Sequence, residues 1–412
     1  MEVIYAVCAG LDVHKDSVKA CLRRSGSNRQ RIGEVQSFGT TTRELLRMTE
    51  WLSTYGCTHV AMESTGVYWK PVYNLLEGSV EVILVNAAHI KQVPGRKTDV
   101  KDCEWIAQLL EHGLLRKSFI PPKPIRELRD LTRHRKTLIQ ERARIANRVQ
   151  KILEDANVKL ASVASDVLGV SGRAVLAALI NGEGDSTVLA ALTRGRLHAT
   201  QDEIQEALSG RFTEHHSFLL QQLLAQVDFV AARITECDQR IEVLCRPFAQ
   251  KIDRLKRMAG VGQRAAEQLV SELGVDMGQF PSHRHAASWT GICPGNHQSA
   301  GKRKSGKTRK GNRWLRCVLI ECGWAASRSK QSYFGAQFRH LVRRRGAKKA
   351  AVAVGHSLLV AAYHILRDDV EYRDLGADHF DRLNHHRLTD YHVQRLEQLG
   401  YQVNLQSQPN AA

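Results

Sequence analysis

Three short runs open the chain in strand-like form. Val3–Val13, Ser17–Leu22 and Ile32–Ser37 are rich in β-branched and apolar residues, with turn residues between them. Thr42–Tyr55 then changes period and places Leu45, Leu46 and Trp51 on one side of a helix. Strand Thr58–Met62, helix Tyr68–Leu76, strand Glu81–Val85 and a closing helix Lys97–Leu115, apolar at Ile106, Leu109 and Leu110, complete the pattern. This order describes a mixed α/β sheet domain.

Pro121, Pro122 and Pro124 break that pattern and mark a domain edge. Beyond them Leu131, Leu138, Ile145 and Ile152 recur every seven residues, and Leu220, Val227, Ile234, Ile241 and Phe248 repeat the device. Such spacing keeps one apolar seam facing a partner helix, within one chain or across a dimer. The stretch between, including the glycine-punctuated Val170–Leu197, reads as a small helical insert. In Ile252–Gly274, an apolar helix end, the turn Gly260-Val261-Gly262 and a second helix form a helix-hairpin-helix pattern. Glycines let backbone approach a phosphate, and the N–H groups opening the second helix can bind it. The alternative is that a glycine-linked helix pair simply packs. Leu388–Leu399 predicts one more helix before a frayed end. The class is therefore α/β plus all-α. Its boundaries fall at 1–120, 121–250, 251–370 and 371–412.

Of 412 residues, 43% are hydrophobic and 25% charged, which excludes a fibrous repeat or extensive disorder. The apolar stretch Ala350–Leu366 is interrupted by His356, Ser357 and His364 and falls short of the ~20 residues a bilayer span needs. The chain opens on no cationic, apolar, small-residue leader pattern. Nine cysteines with no C-x-x-C pair fit reduced thiols rather than a disulfide framework. The expectation is a cytoplasmic protein with no membrane partner.

Charge sharpens this picture. The formal net charge is +18, and between Met277 and Arg367 there are eighteen Lys and Arg against a single acid, Glu321. The densest part, GKRKSGKTRKGNRWLR from Gly301 to Arg316, holds eight basic residues and no acid. Such a run neutralises phosphates and releases their counterions, which favours a nucleic acid over a merely solvated surface. Membrane-surface binding fits less well, because the run lacks a regular amphipathic face. Lys302, Arg303, Lys304, Lys307, Arg309, Lys310 and Arg313, with Gly260 and Gly262, are the candidate contacts. His283, His285 and His297 lack a Cys or carboxylate at zinc-ligand spacing and read as solvated or phosphate-contacting. Trp289 and Trp314 read as base-stacking or as hydrophobic anchors.

Four carboxylates carry the candidate chemistry. Asp12 sits inside an apolar strand, where an acid is costly without a role. Glu63 follows the strand THVAM, and Asp99 and Asp102 lie three apart on one face of the closing helix. Taken singly, Asp99 and Asp102 could be dipole-favoured helix acids and Glu63 a surface residue or cap. Brought together, the four would repel unless cations hold them, and all-oxygen sites suit Mg²⁺ or Mn²⁺. Such ions can clamp a scissile phosphate. An actin-like ATPase would need a glycine-rich hairpin after the first strand, and His14-Lys15-Asp16 supplies none.

This order of acids resembles the RuvC-type ribonuclease H fold. AGLDVHK, MESTGVYW and GRKTDVKDCEWIAQLL, followed by ASWTGICPGNHQSAGKRKSGKTRKGNRWLRCVLI, are similar to the DEDD transposases of bacterial insertion sequences, family 110. The resemblance covers most of the chain. It implies a RuvC-like domain over 1–120, a coiled-coil linker with its insert over 121–250, a serine-bearing transposase domain over 251–370 and a tail. It also implies a metal site on Asp12, Glu63, Asp99 and Asp102, and a nucleophilic Ser299 in Gln298-Ser299-Ala300-Gly301-Lys302. The family's Ser-Gly-Gly stands here as Ser-Ala-Gly. Ser305 is a nearby competitor outside the matching position. Taken without the resemblance, Ser299 reads as an ordinary turn residue or a phosphate contact.

The function implied is DNA recombination through a covalent protein–DNA intermediate, on donor and target DNA, guided by a structured bridge RNA. A homo-oligomer, dimer or tetramer, with a site composed across protomers is implied too, in the bacterial nucleoid. The alternative is a hydrolytic RuvC-like endonuclease of junction-resolvase type, in which water attacks and Ser299 only positions phosphate. An architectural nucleic-acid binder with inert carboxylates is a third reading.

Overall fold

The computed structural model describes residues 2–25, 30–64, 66–90, 102–193, 199–295, 297–383 and 385–406. The chain divides into two compact units, Met1–Pro121 and Pro122–Ala412.

In the first unit β1 (Cys8–Val13), β2 (Ser17–Ser25) and β3 (Arg31–Gly39) form an antiparallel meander. Helix α1 (Thr42–Thr54) leads to β4 (His59–Glu63), and α2 (Trp69–Leu76) leads to β5 (Glu81–Val85). Both β4 and β5 lie parallel to β1, giving the order β3-β2-β1-β4-β5. A short α3 (Ala87–Ile90) and then α4 (Asp102–Glu111) close the unit. The pleat sends alternate residues to opposite faces. Ala9, Leu11, Val60, Met62, Val82 and Leu84 meet α1 and α2, while Cys8, Ala61, Ile83 and Val85 meet Trp105, Ile106, Leu109 and Leu110 of α4. The sheet core is thus covered on both faces.

Several expected boundaries shift. Val3 and Ile4 are exposed and precede β1 rather than extend it, the chain being tied there by Ile4 N–H donating to the Glu111 carbonyl at 2.9 Å. On α1 the buried stripe is Leu45, Met48 and Leu52, and Leu46 faces solvent, because 3.6-residue spacing carries position 46 off the core side. Helix α4 stops at Glu111, before a turn at Gly113 with φ +65°, and residues 97–101 lie outside the described set.

The second unit is helical apart from one hairpin. Helix α5 (Lys123–Asp155) begins with Pro124 in its first turn, where a missing N–H costs nothing. After α6 (Leu160–Val163), α7 (Val170–Ile180), α8 (Ser186–Ala191) and α9 (Gln201–Leu208), α10 (Glu214–Cys245) returns alongside α5. Asp155 at the end of α5 meets His216 at the start of α10, and Arg135 meets Asp238 near its end, so the pair is antiparallel. Leu138, Ile145, Val149 and Leu153 share one core with Leu220, Val227, Val230 and Ile234 and with the insert residues Leu160, Val175, Leu176 and Leu208. The two long helices therefore find their partners within one chain. Leu131 and Ile152 are only half-buried, because over this length the buried stripe drifts to Thr132 and Leu153.

After a 3₁₀ turn, Arg246–Phe248, come α11 (Ala249–Lys256), α12 (Gln263–Leu273) and α13 (His283–Thr290). Strands β6 (His297–Ser299) and β7 (Lys302–Ser305) precede α14 (Arg313–Ser327), α15 (Tyr333–Arg345), α16 (Ala347–Asp368), α17 (His379–Leu383) and α18 (His385–Gln398). Helix α16 is longer than the apolar stretch read from the sequence and is, by length and composition alone, enough to cross a membrane. It lies instead in the unit's core. Val354, Leu358, Leu359 and Tyr363 are buried, and Gly355 lets its backbone approach Leu319 of α14.

Candidate active site

Gly10 sets the first unit's site. A Cβ there would lie 2.3 Å from the Ala107 nitrogen and 2.4 Å from the Cys103 oxygen, so α4 rests directly on β1. Two residues on, and on the same face, stands Asp12. On the neighbouring parallel strand Leu11 is paired with Met62, so one register step further Asp12 is opposed by Glu63. Adjacent strands run about 4.8 Å apart, so both carboxylates emerge at one level on the face that α4 covers. Asp102 is the first residue of α4, next to Cys103, whose thiol burial, Glu104 and Asp12 together push up. Three of the four acids are thus brought to one end of one sheet face. Asp99 lies outside the described residues.

Asp12 accepts a hydrogen bond from or ion-pairs with His14 Nε2 at 3.1 Å, across the exposed β1–β2 turn. Among the described residues no three His, Cys, Asp or Glu side chains gather tightly enough to enclose an ion. The donor chemistry nonetheless fits a hard divalent cation. Two carboxylates at one level of paired strands repel each other, and a cation between them removes that repulsion.

In the second unit Ser299 ends β6, exposed, and faces Lys302 across the turn Ala300-Gly301. The turn residues have φ +49° and +72°, as a two-residue type I′ hairpin requires. Alanine in that left-handed region carries strain that glycine would not. Lys302, Lys307, Arg309, Lys310 and Arg313 are exposed, while the side chains of Arg303 and Lys304 lie outside the described set.

What holds the hairpin is at its base. Pro294 bridges Thr308, and Gly295 N–H donates to the Lys307 carbonyl at 2.9 Å. Gly291 and Gly311 touch backbone to backbone, a Cβ on Gly311 coming 2.5 Å from the Gly291 nitrogen. Asn312 caps α14 through Oδ1, and its Nδ2 donates to buried Glu272 at 2.6 Å. Glu272 also takes both arms of Arg133, at 2.7 and 2.8 Å, while Arg129 donates to the Ser271 and Glu272 carbonyls. Burial pulls Arg129 down to about 10 against the opposing pull of Glu272. Trp314 lies under the guanidiniums of Arg133 and Arg313, and Trp289 packs on Phe280. Both tryptophans are anchored in the unit.

Residues 9–158 match a family model described as transposase, of the DEDD type, and residues 252–339 match a second, described as transposase IS116/IS110/IS902 family. Together these span more than half of the chain. The chain belongs to the IS116/IS110/IS902 family of transposases. A Pseudomonas aeruginosa protein named as a family 20 transposase is 27% identical to it over 323 residues, covering 76% of this chain and 85% of that one. A Sinorhizobium fredii protein named as transposase y4pF/y4sB is 22% identical, covering 87% of each.

The transposase places its sequence-predicted glycines differently from each other. Gly260, at φ +88°, has a packing reason, since a Cβ would strike the Cys322 oxygen at 2.4 Å. Gly262 opens α12 with free space around its Cα and is exposed. Of the histidines, His283 packs against the rings of Tyr363 and His364, and His285 meets Ser282 Oγ at 2.9 Å. Three features of the site escaped the sequence reading. Gly10 had a signal, a glycine inside an apolar strand. His14 was noted only as the lack of a phosphate loop. Glu272 had none, as its partners Arg133 and Asn312 are remote in sequence.

Proposed function

We propose that this transposase cuts and rejoins DNA strands through two groups, the carboxylates of the sheet unit and Ser299 of the helical unit. The observation that carries the reading is the placing of Asp12 and Glu63 at one level of adjacent parallel strands, under a helix that opens with Asp102. Asp12, Glu63 and Asp102, with Asp99, are the residues that would hold Mg²⁺ or Mn²⁺. A bound ion of this kind supplies charge stabilisation on a transferring phosphoryl group.

Ser299 Oγ would attack the scissile phosphorus, forming a seryl phosphodiester while the bond from phosphorus to the leaving sugar oxygen breaks. The hydroxyl proton leaves Oγ and the leaving oxygen ends as a free hydroxyl. Attack by a hydroxyl from another strand reverses the exchange, conserving the phosphodiester bond without ATP. Lys302 across the turn, with Lys307, Arg309, Lys310 and Arg313, provides cations for the developing charge and the DNA backbone. The exposed Gly262 turn adds N–H donors at the start of α12. The family resemblance supports a bridge RNA that pairs with donor and target DNA, and a dimer or tetramer in which the two groups meet. It also supports reading the second unit as linker (121–250), serine-bearing domain (251–370) and tail.

The test is a covalent-adduct assay in cells carrying the gene with its flanking non-coding DNA. Denatured lysate should retain DNA on the unsubstituted protein and lose it in both Ser299→Ala and Asp12→Ala. Cleaved DNA without an adduct, unchanged by Ser299→Ala, would establish the hydrolytic RuvC-like reading instead.

A further inference from the structure

Away from the serine hairpin, the second unit carries a cationic helix face already engaged by carboxylates of its own chain. Lys251 and Arg254 on α11 and Arg257, its C-cap, recur every three residues and so share one side. Residues 369–376 leave the end of α16 without regular structure and run along that side. Arg254 pairs with Asp369, and its Nε donates to Glu371 at 3.2 Å. Arg257 reaches Glu371 at 2.9 Å, and Lys251 lies 3.9 Å from Asp369. Asp369 takes up its position in the left-handed region, φ +55°, which an aspartate tolerates better than most residues.

The rest of the strap is pinned by rings and one carboxylate. Asp374 accepts from the Tyr333 N–H at 2.8 Å and from the Tyr372 hydroxyl at 3.1 Å, and Tyr372 stacks on Phe334. Beyond it, Phe380 stacks on both Tyr333 and His340.

This attachment is built to exchange. Val370 and Leu375 are about half exposed, so of these apolar side chains Tyr372 alone is held by packing, against Phe334. The carboxylates of Asp369 and Glu371 are 60% and 46% exposed, against 12% for Arg254, so on the carboxylate side these pairs are open to water and screened by salt. Guanidiniums that donate to carboxylate oxygens donate to phosphate oxygens by the same geometry. The cationic face also leads, within the same chain segment, to the exposed Gly262 turn.

We infer that the Lys251–Arg254–Arg257 face is a backbone contact for duplex DNA, and that residues 369–376 are a clasp whose carboxylates cover it until a duplex displaces them. This rests on the DNA-acting reading above and adds to it a contact that is masked in the free protein. The partner is identified by its phosphate backbone, so the contact is indifferent to base sequence.

The experiment uses the full chain with Asp12→Asn present throughout, so that no strand is cut, and a short duplex of arbitrary sequence. Asp369→Asn/Glu371→Gln should bind about threefold to tenfold more tightly than its parent, with a salt slope steeper by about two. Asp202→Asn/Glu206→Gln on α9 makes the same charge change elsewhere and should gain much less. Adding Arg254→Gln and Arg257→Gln should cancel the gain while costing the parent little. An equal gain in the α9 control, or no gain in a clasp variant that melts like its parent, overturns the clasp. If the clasp variant does not fold, limited proteolysis of the parent decides. Duplex should increase cleavage within 369–376, and protection or no change there overturns the proposal. Failure of every variant to bind duplex would instead remove the DNA-acting reading, and the clasp with it.

Discussion

Asp12 and Glu63 of the first unit stand at the ends of paired strands buried on both faces, whereas Ser299 in the second stands exposed beside a two-residue turn. In the sheet unit the backbone that carries Asp12 and Glu63 is itself the core, and Gly10 brings α4 into direct contact with it. In the helical unit Ser299 is exposed at the end of β6. Its position is inherited from the hairpin base, where Gly291, Gly311, Asn312 and Glu272 lock the two ends of the loop. On the proposed reading, carboxylates that hold a metal gain from rigid placement on strands, and a serine that attacks a phosphate gains from exposure.

The largest expected effect breaks the sheet side of that comparison. Gly10→Val forces α4 off β1 and should cost about 3 kcal/mol or more. Denaturant unfolding would read it as loss of the first unit's transition, with the adduct abolished. Second, Glu272→Ala strips a buried acceptor from Arg133 and Asn312 and should cost about 3 kcal/mol. That loss should appear in the second unit's unfolding and in faster amide exchange through the hairpin, with the first unit's transition unmoved.

A smaller change sharpens the hairpin side. Ala300→Gly relieves a left-handed alanine at the cost of a more flexible unfolded chain, for a net gain of about 0.5 kcal/mol. Slower exchange of the β6–β7 amides would register it, and faster exchange would contradict the strain. The last effect, confined to alkaline pH, treats both units alike. Burial pushes the thiols of Cys8 and Cys21 in the first unit, and of Cys245 and Cys322 in the second, up to about 12 from 9.0. Their folded values are raised, so this contribution to stability is whole below pH 9 and is lost as pH climbs toward 12. Melting temperatures of both units should fall over that window.

How much of this was legible depended on the range of the interaction. Asp12 could be picked out because an acid in the run CAGLDV is locally anomalous, and Glu63 because it ends an apolar strand. The heptad spacing disclosed two long helices, yet Leu131 and Ile152 misread which turn faces inward, since a straight helix drifts from a seven-residue repeat. Leu46 was misplaced for a related reason, a neighbour in sequence taken for a neighbour on the core side. The glycines of the helix-hairpin-helix pattern looked equivalent in sequence, but Gly260 is committed to packing against α14 and only Gly262 is open.

By itself, the sequence determined the order of strands and helices, the break at Pro121–Pro124, the concentration of positive charge after Met277 and the spacing of the acids and the serine on which the family resemblance rests. These are properties of local period, composition and spacing, written in consecutive residues. Only the tertiary structure decided that Asp12 and Glu63 share one level and one face, that α5 pairs with α10 of its own chain, and that Glu272 anchors the serine hairpin. It also decided that the α11 cations are met by carboxylates more than a hundred residues away. Strand register, helix partners and ion pairs of this kind join residues far apart in sequence, and their energies appear only once the chain has closed on itself.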